Sequence, residues 1–189
     1  VNAFELLRQR VQQLYIERRL HNVDTQDETQ HALKKHKFFQ KMNEEVARAR
    51  RTSLPVSFVL LSVDNFKEIE AEVDREELQT FLKSIAQIVH KHSRVNDILG
   101  RISRSEFGLL LPHTSLRGGV VKAERLRRMI ESANFRKILG SEDLITLSLA
   151  VSEYPSNCRD SDELFQSADH VLFDQGRVVK NRVVVAKPP

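Results

Sequence analysis

From residue 56 the chain reads Val-Ser-Phe-Val-Leu-Leu-Ser-Val63, an apolar, β-branched run whose density predicts a strand buried on both faces. Ahead of it, residues 31–51 predict one long helix with Phe38 or Phe39, Met42 and Val46 on the inner face, stopped by Thr52-Ser-Leu-Pro55. Helical spacing through Phe81-Leu-Lys-Ser-Ile-Ala-Gln-Ile-Val89 predicts a helix over 77–91, and another is expected over 115–132. Between them, a strand, polar turn and strand predict a hairpin through 98–111, while the alternation of Ile145-Thr-Leu-Ser-Leu-Ala-Val151 predicts a strand over 144–151. At the start of the chain, Phe4, Leu7, Val11 and Leu14 form a heptad-like seam free of Gly and Pro. This predicts a helical stalk over 1–23, with Asp24 or Thr25 as the next N-cap, followed by a domain over 24–189; an amphipathic helix packed on its own domain is the alternative.

At 189 residues the chain suits one domain with an appendage. No apolar run approaches the roughly 18 residues that a membrane helix needs. A single cysteine, Cys158, excludes an internal disulfide and fits a reducing cytoplasm. The first residue is Val1 rather than Met, as expected of a piece of a longer protein. A net charge of +4 admits anionic partners, but the basic runs Arg48-Ala-Arg-Arg51 and Arg125-Leu-Arg-Arg128 carry no interleaved aromatic residues, which argues against nucleic acid.

The candidate chemistry lies at Arg94 and Asp97, three residues apart. In a turn such a pair can offer one cationic fork beside one acceptor. A guanine base suits both, because arginine reaches its O6/N7 edge and a carboxylate accepts from its N1–H and N2–H groups. The alternative is an ordinary surface ion pair worth under about 1 kcal/mol.

Gly100-Arg-Ile-Ser-Arg-Ser-Glu-Phe-Gly-Leu-Leu-Leu-Pro112 resembles the central hairpin of the GGDEF family, the diguanylate cyclases that make cyclic di-GMP. Ser103-Arg104-Ser105-Glu106-Phe107 stands at the family signature, and the Arg94/Asp97 pair precedes it by the five residues that separate the family's inhibitory R-x-x-D site from its signature. The resemblance extends through Asp64-Asn-Phe-Lys-Glu-Ile69, Lys122-Ala-Glu-Arg-Leu-Arg-Arg-Met-Ile130, Ile145–Val151, Glu163–Phe173 and Lys180-Asn-Arg-Val183. It implies a palm, ferredoxin-like α/β fold, with a central mostly antiparallel sheet flanked by helices.

It also implies lost catalysis. The family's two metal carboxylates fall on Ser62 and Ser105, its guanine-recognising pair on Glu70 and Gln79, and its phosphate-approach glycines on Ser103 and Arg104. Glu106 is the carboxylate that remains. No catalytic residue, metal ligand or cofactor is therefore expected. The resemblance instead implies a cyclic di-GMP receptor that signals to a protein partner. Arg94, Asp97 and Arg125 would form the primary site, and Arg48 would reach ligand held by a second copy in a homodimer. A nucleotide-independent interaction scaffold is the alternative.

Overall fold

The computed structural model describes residues 31–140, 144–176 and 179–187. Among the described residues, five strands form one mixed sheet: β1 (Val56–Val63), β2 (Ile98–Arg101), β3 (Glu106–Pro112), β4 (Leu147–Tyr154) and β5 (Val183–Val185), in the spatial order β2-β3-β1-β4-β5. The first four pair antiparallel, and β5 joins β4 in parallel. Six helices accompany them among the described residues: α1 (Lys35–Thr52), α2 (Phe66–Glu72), α3 (Arg75–Lys91), α4 (Leu116–Ser132), α5 (Arg136–Leu139) and α6 (Ser161–Val171). This is the palm-type α/β architecture expected from the sequence. The stalk over 1–23, with Asp24 and Thr25, lies outside the described residues.

The alternation of β1 sorts the core into two layers. Val59, Leu61 and Val63 face Phe81, Ile85 and Val89 of α3 and Ala123, Leu126 and Ile130 of α4. Val56, Phe58 and Leu60 face Phe38, Met42 and Val46 of α1 and Leu164 and Ala168 of α6. Burial on both faces accounts for the absence of a polar register in this strand; each large side chain so buried contributes about 1.5–3 kcal/mol.

Three boundaries differ from the sequence reading. Residues 31–34 are not helix: Leu33 lies beside β2, its N–H donating to the Leu99 carbonyl at 2.8 Å and its carbonyl accepting from the Arg101 amide at 2.9 Å. Those backbone bonds outweigh helix propensity, and α1 starts after the extended residue Lys34. Helix α3 starts earlier, at Arg75, because Asp74 builds a capping box: Asp74 Oδ1 accepts from the Glu77 amide at 2.9 Å, and Glu77 Oε2 accepts from the Asp74 amide at 3.0 Å. Strand β4 is shifted along the chain to Leu147–Tyr154, since Ser152, Glu153 and Tyr154 continue the ladder opposite Phe58, Ser57 and Val56.

The four residues of β2 connect the Arg94–Asp97 turn to the turn at Ser103–Ser105. Its Gly100 pairs with Gly108 of β3, and the Phe38 ring lies over both. A Cβ on Gly100 would stand 2.4 Å from Phe38, so α1 can approach only because this position is bare. No helix among the described residues is long and apolar enough to cross a membrane.

Candidate functional site

Past the end of α3 the chain closes the turn Arg94–Asp97 with the Asp97 amide donating to the Arg94 carbonyl at 3.1 Å. The Asp97 carboxylate folds back on this turn. Its Oδ2 accepts from the Arg94 amide at 2.8 Å and faces Lys122 Nζ, on α4, at 3.5 Å. With its side chain only 3% exposed, Asp97 is an interior carboxylate rather than half of a surface ion pair. Lys122 also donates to the His92 carbonyl, which closes α3.

Arg94 and Asp97 are therefore neighbours, as their spacing suggests, but one carboxylate oxygen is already engaged. The guanidinium of Arg94 is exposed, and so is that of Arg125, one turn along α4 from Lys122. Neither makes a hydrogen bond or ion pair among the described residues. Both lie close enough to bear on Lys122. Burial is the main cause that holds the Lys122 pKa below the usual lysine value; Asp97 opposes this, and the Arg125 and Arg94 charges add to it. Oδ1 of Asp97 accepts no hydrogen bond among the described residues.

Arg48 is placed elsewhere. It lies on α1, which packs on the opposite face of the sheet from α4, and its Nη1 pairs with Glu45 Oε1 at 2.9 Å. Within one chain it does not join the other three residues.

The second cluster surrounds the β2–β3 turn. Ser62 of β1 is half-buried opposite Glu106 of β3, and the carbonyl of Ser105 accepts from the Val63 amide at 3.0 Å. Ser103 Oγ donates to Glu106 Oε2 at 2.8 Å. Arg101 donates from Nε and Nη2 to the carbonyls of Ser103 and Arg104, and its guanidinium lies 4.6 Å from the Phe107 ring centroid. No residue of this turn has positive φ, so its backbone does not require glycine. The Arg104 guanidinium reaches across to the Glu70 carboxylate on α2. Gln79 sits half-buried near the start of α3.

Several contributors were not singled out in the sequence. Asp64 is a buried hub: Oδ1 accepts from Ser148 Oγ at 2.7 Å, and Oδ2 from Thr146 Oγ1 at 2.7 Å and the Asn181 amide at 2.9 Å. Arg101 grips the signature turn, and Lys122 holds Asp97. The signal for Lys122 was its i, i+3 relation to Arg125, which places both on neighbouring helix positions. Its partner, however, comes from a distant part of the chain.

The family profile described as "Diguanylate cyclase, GGDEF domain" matches residues 25–182. Diguanylate cyclase DosC of Escherichia coli K12 is 29% identical over 143 residues, covering 76% of this chain but 31% of DosC, so the chain spans about a third of that relative's length. Among solved structures, the GGDEF domain of DgcB from Caulobacter crescentus in complex with cyclic di-GMP superposes with a TM-score of 0.76 at 18% identity, covering 87% of this chain and 96% of that one. Diguanylate cyclase SiaD of Pseudomonas aeruginosa, in complex with its activator SiaC, gives a TM-score of 0.76 at 24% identity, covering 97% of this chain and 70% of that one. At these identities the structural likeness speaks for the fold.

Proposed function

The chain belongs to the GGDEF domain family, and from that premise we propose that it is a catalytically silent member that binds cyclic di-GMP through Arg94, Asp97 and Arg125 and passes the liganded state to a protein partner. The observation that carries this reading is the pair of exposed guanidiniums of Arg94 and Arg125, unpartnered among the described residues, beside the interior Asp97 carboxylate and the half-buried Lys122. Two guanidinium forks can donate to guanine O6 and N7, or stack on the purine face, while Asp97 Oδ1 can accept from N1–H and N2–H. The local positive charge suits a ligand with two phosphodiesters. That a related GGDEF domain, from DgcB, is seen with cyclic di-GMP supports the ligand, and the SiaD–SiaC complex supports a protein partner.

What stands at the other cluster supports the reading of catalytic silence. Magnesium holding a triphosphate relies on carboxylate oxygens, and the residues present do not fit it. Ser62 and Ser105 supply neutral groups, both oxygens of Asp64 are engaged by Thr146, Ser148 and Asn181, and Glu106 accepts from Ser103. Arg104 and Glu70 answer each other across the space between turn and helix. Arg48, on the opposite sheet face, suits contact with ligand held by a second copy, which favours a ligand-promoted homodimer with about two stacked ligands per site. Calorimetric titration with cyclic di-GMP tests the reading. Saturable binding supports it, and absence of heat at high ligand concentration leaves the scaffold alternative.

A further inference from the structure

We infer that Lys122 is a positioning residue that keeps the arginines of this site available, by supplying the counter-charge that the interior Asp97 carboxylate would otherwise take from Arg94 or Arg125. The inference rests on contacts within the protein for its first part, and on the cyclic di-GMP reading for its second.

Asp97 has a side chain 3% exposed and so needs a cation or a full set of donors. It receives the Arg94 amide at 2.8 Å and the Lys122 ammonium at 3.5 Å, both on Oδ2. The cations near it are Arg94 on its own turn and Lys122 on α4, with Arg125 one turn further along α4 and close enough to bear on Lys122. Of these, Lys122 is the one committed inward. Its side chain is 15% exposed, and its ammonium is anchored from the other side by the His92 carbonyl. That second anchor fixes the ammonium against the carboxylate at both ends of the turn.

The geometry explains why two neighbouring guanidiniums stay in solvent although a buried carboxylate lies beside them. A guanidinium is the better bidentate partner for a carboxylate, so a vacated Asp97 would draw one in. A lysine offers a compact charge that fits the space under the turn and leaves the planar forks outside. Lys122 thus acts on the ligand through Asp97 and touches no ligand atom itself.

The experiment compares the parent chain with Lys122→Met and Lys122→Arg. In ligand-free protein, side-chain Nε–H spectra of arginine should show a new, slowly exchanging guanidinium signal in Lys122→Met, removed again by Asp97→Asn. Titration with cyclic di-GMP should then show affinity weakened about tenfold, the order expected when one arginine fork is withdrawn from a base edge. Lys122→Arg, which keeps a cation under the turn, should restore most of it. Thermal unfolding accompanies each variant, so a fold loss is recognised as such. Unchanged arginine spectra in a folded Lys122→Met chain would overturn the inference, as would tighter binding, which would make Lys122 a competitor of the ligand. If the parent binds no cyclic di-GMP while the arginine signal still appears, the receptor reading fails and the role of Lys122 stands.

Discussion

Arg104, from the turn between β2 and β3, is ion-paired with Glu70 of α2. Arg104 is 60% exposed, so the pair stabilises the fold by less than about 1 kcal/mol. Its interest is where it lies, at the two positions where the resemblance implies a phosphate-approach glycine and a guanine-recognising residue. The protein should make no cyclic di-GMP from GTP with magnesium or manganese. Restoring Ser62→Asp and Ser105→Asp together should still give none, because Glu70, Gln79 and Arg104 remain. Chromatographic detection of product in that double variant, absent in its Glu106→Ala derivative, would refute this account.

Arg94→Ala should weaken cyclic di-GMP binding by about tenfold to a hundredfold, the discrimination that one arginine fork on a guanine edge supplies. The amide of residue 94 still reaches Asp97 in this variant, so the turn persists. Calorimetry that finds equal affinity in parent and variant removes Arg94 from the site.

Ligand should shift the protein from monomer to dimer, and Arg48→Ala should block the shift. Because Arg48 pairs with the buried Glu45, the alanine variant also strands a carboxylate; Glu45→Gln is the control, freeing Arg48 while leaving it present. Sedimentation should find a ligand-promoted dimer in parent and Glu45→Gln alone. An unchanged mass in the parent at saturation would restrict the site to one chain.

Gly100→Ala should destabilise the domain by about 1–3 kcal/mol, since the new methyl would meet Phe38 at 2.4 Å and force α1 off the sheet. Urea unfolding measures it. A midpoint matching the parent's would mean that Phe38 moves aside at no cost.

The carboxyl of Glu131 is held below the usual glutamate range, first by the Asn181 amide at 2.7 Å and then by Arg127 at 3.0 Å. Folding therefore favours its ionised form. This contribution is present above the ordinary glutamate range and is lost as pH falls through the lowered value. Glu131→Gln should show a shallower loss of stability across that acid interval; parallel curves for parent and variant would disprove the linkage.

Sequence patterning located β1 closely, because a strand buried on both faces leaves an apolar run with no competing helical period. It placed the start of α1 too early, because the partners of Leu33 are backbone atoms of β2, which no side-chain pattern reveals. At the candidate site, spacing suggests that Arg94 and Asp97 are neighbours, and the two share one turn through the Arg94 amide. It did not show the carboxylate turned onto its own amide and onto Lys122, a contact between residues far apart in the chain. The same limit applies to Arg104 and Glu70. Each could be read as a loss, but their opposite charges become a pairing only when the turn and α2 are brought side by side.

The rung formed by Leu33 has one more consequence, for solubility. A sheet border with free amides and carbonyls is a template on which strands of other molecules can add. Leu33 occupies that border of β2 with two backbone bonds, at 2.8 and 2.9 Å. A chain trimmed to begin at Lys35 would keep every side chain of the ligand cluster and yet bare the border. Such a fragment should aggregate in a manner indifferent to cyclic di-GMP, so the few residues ahead of α1 protect the sheet as well as lead into it.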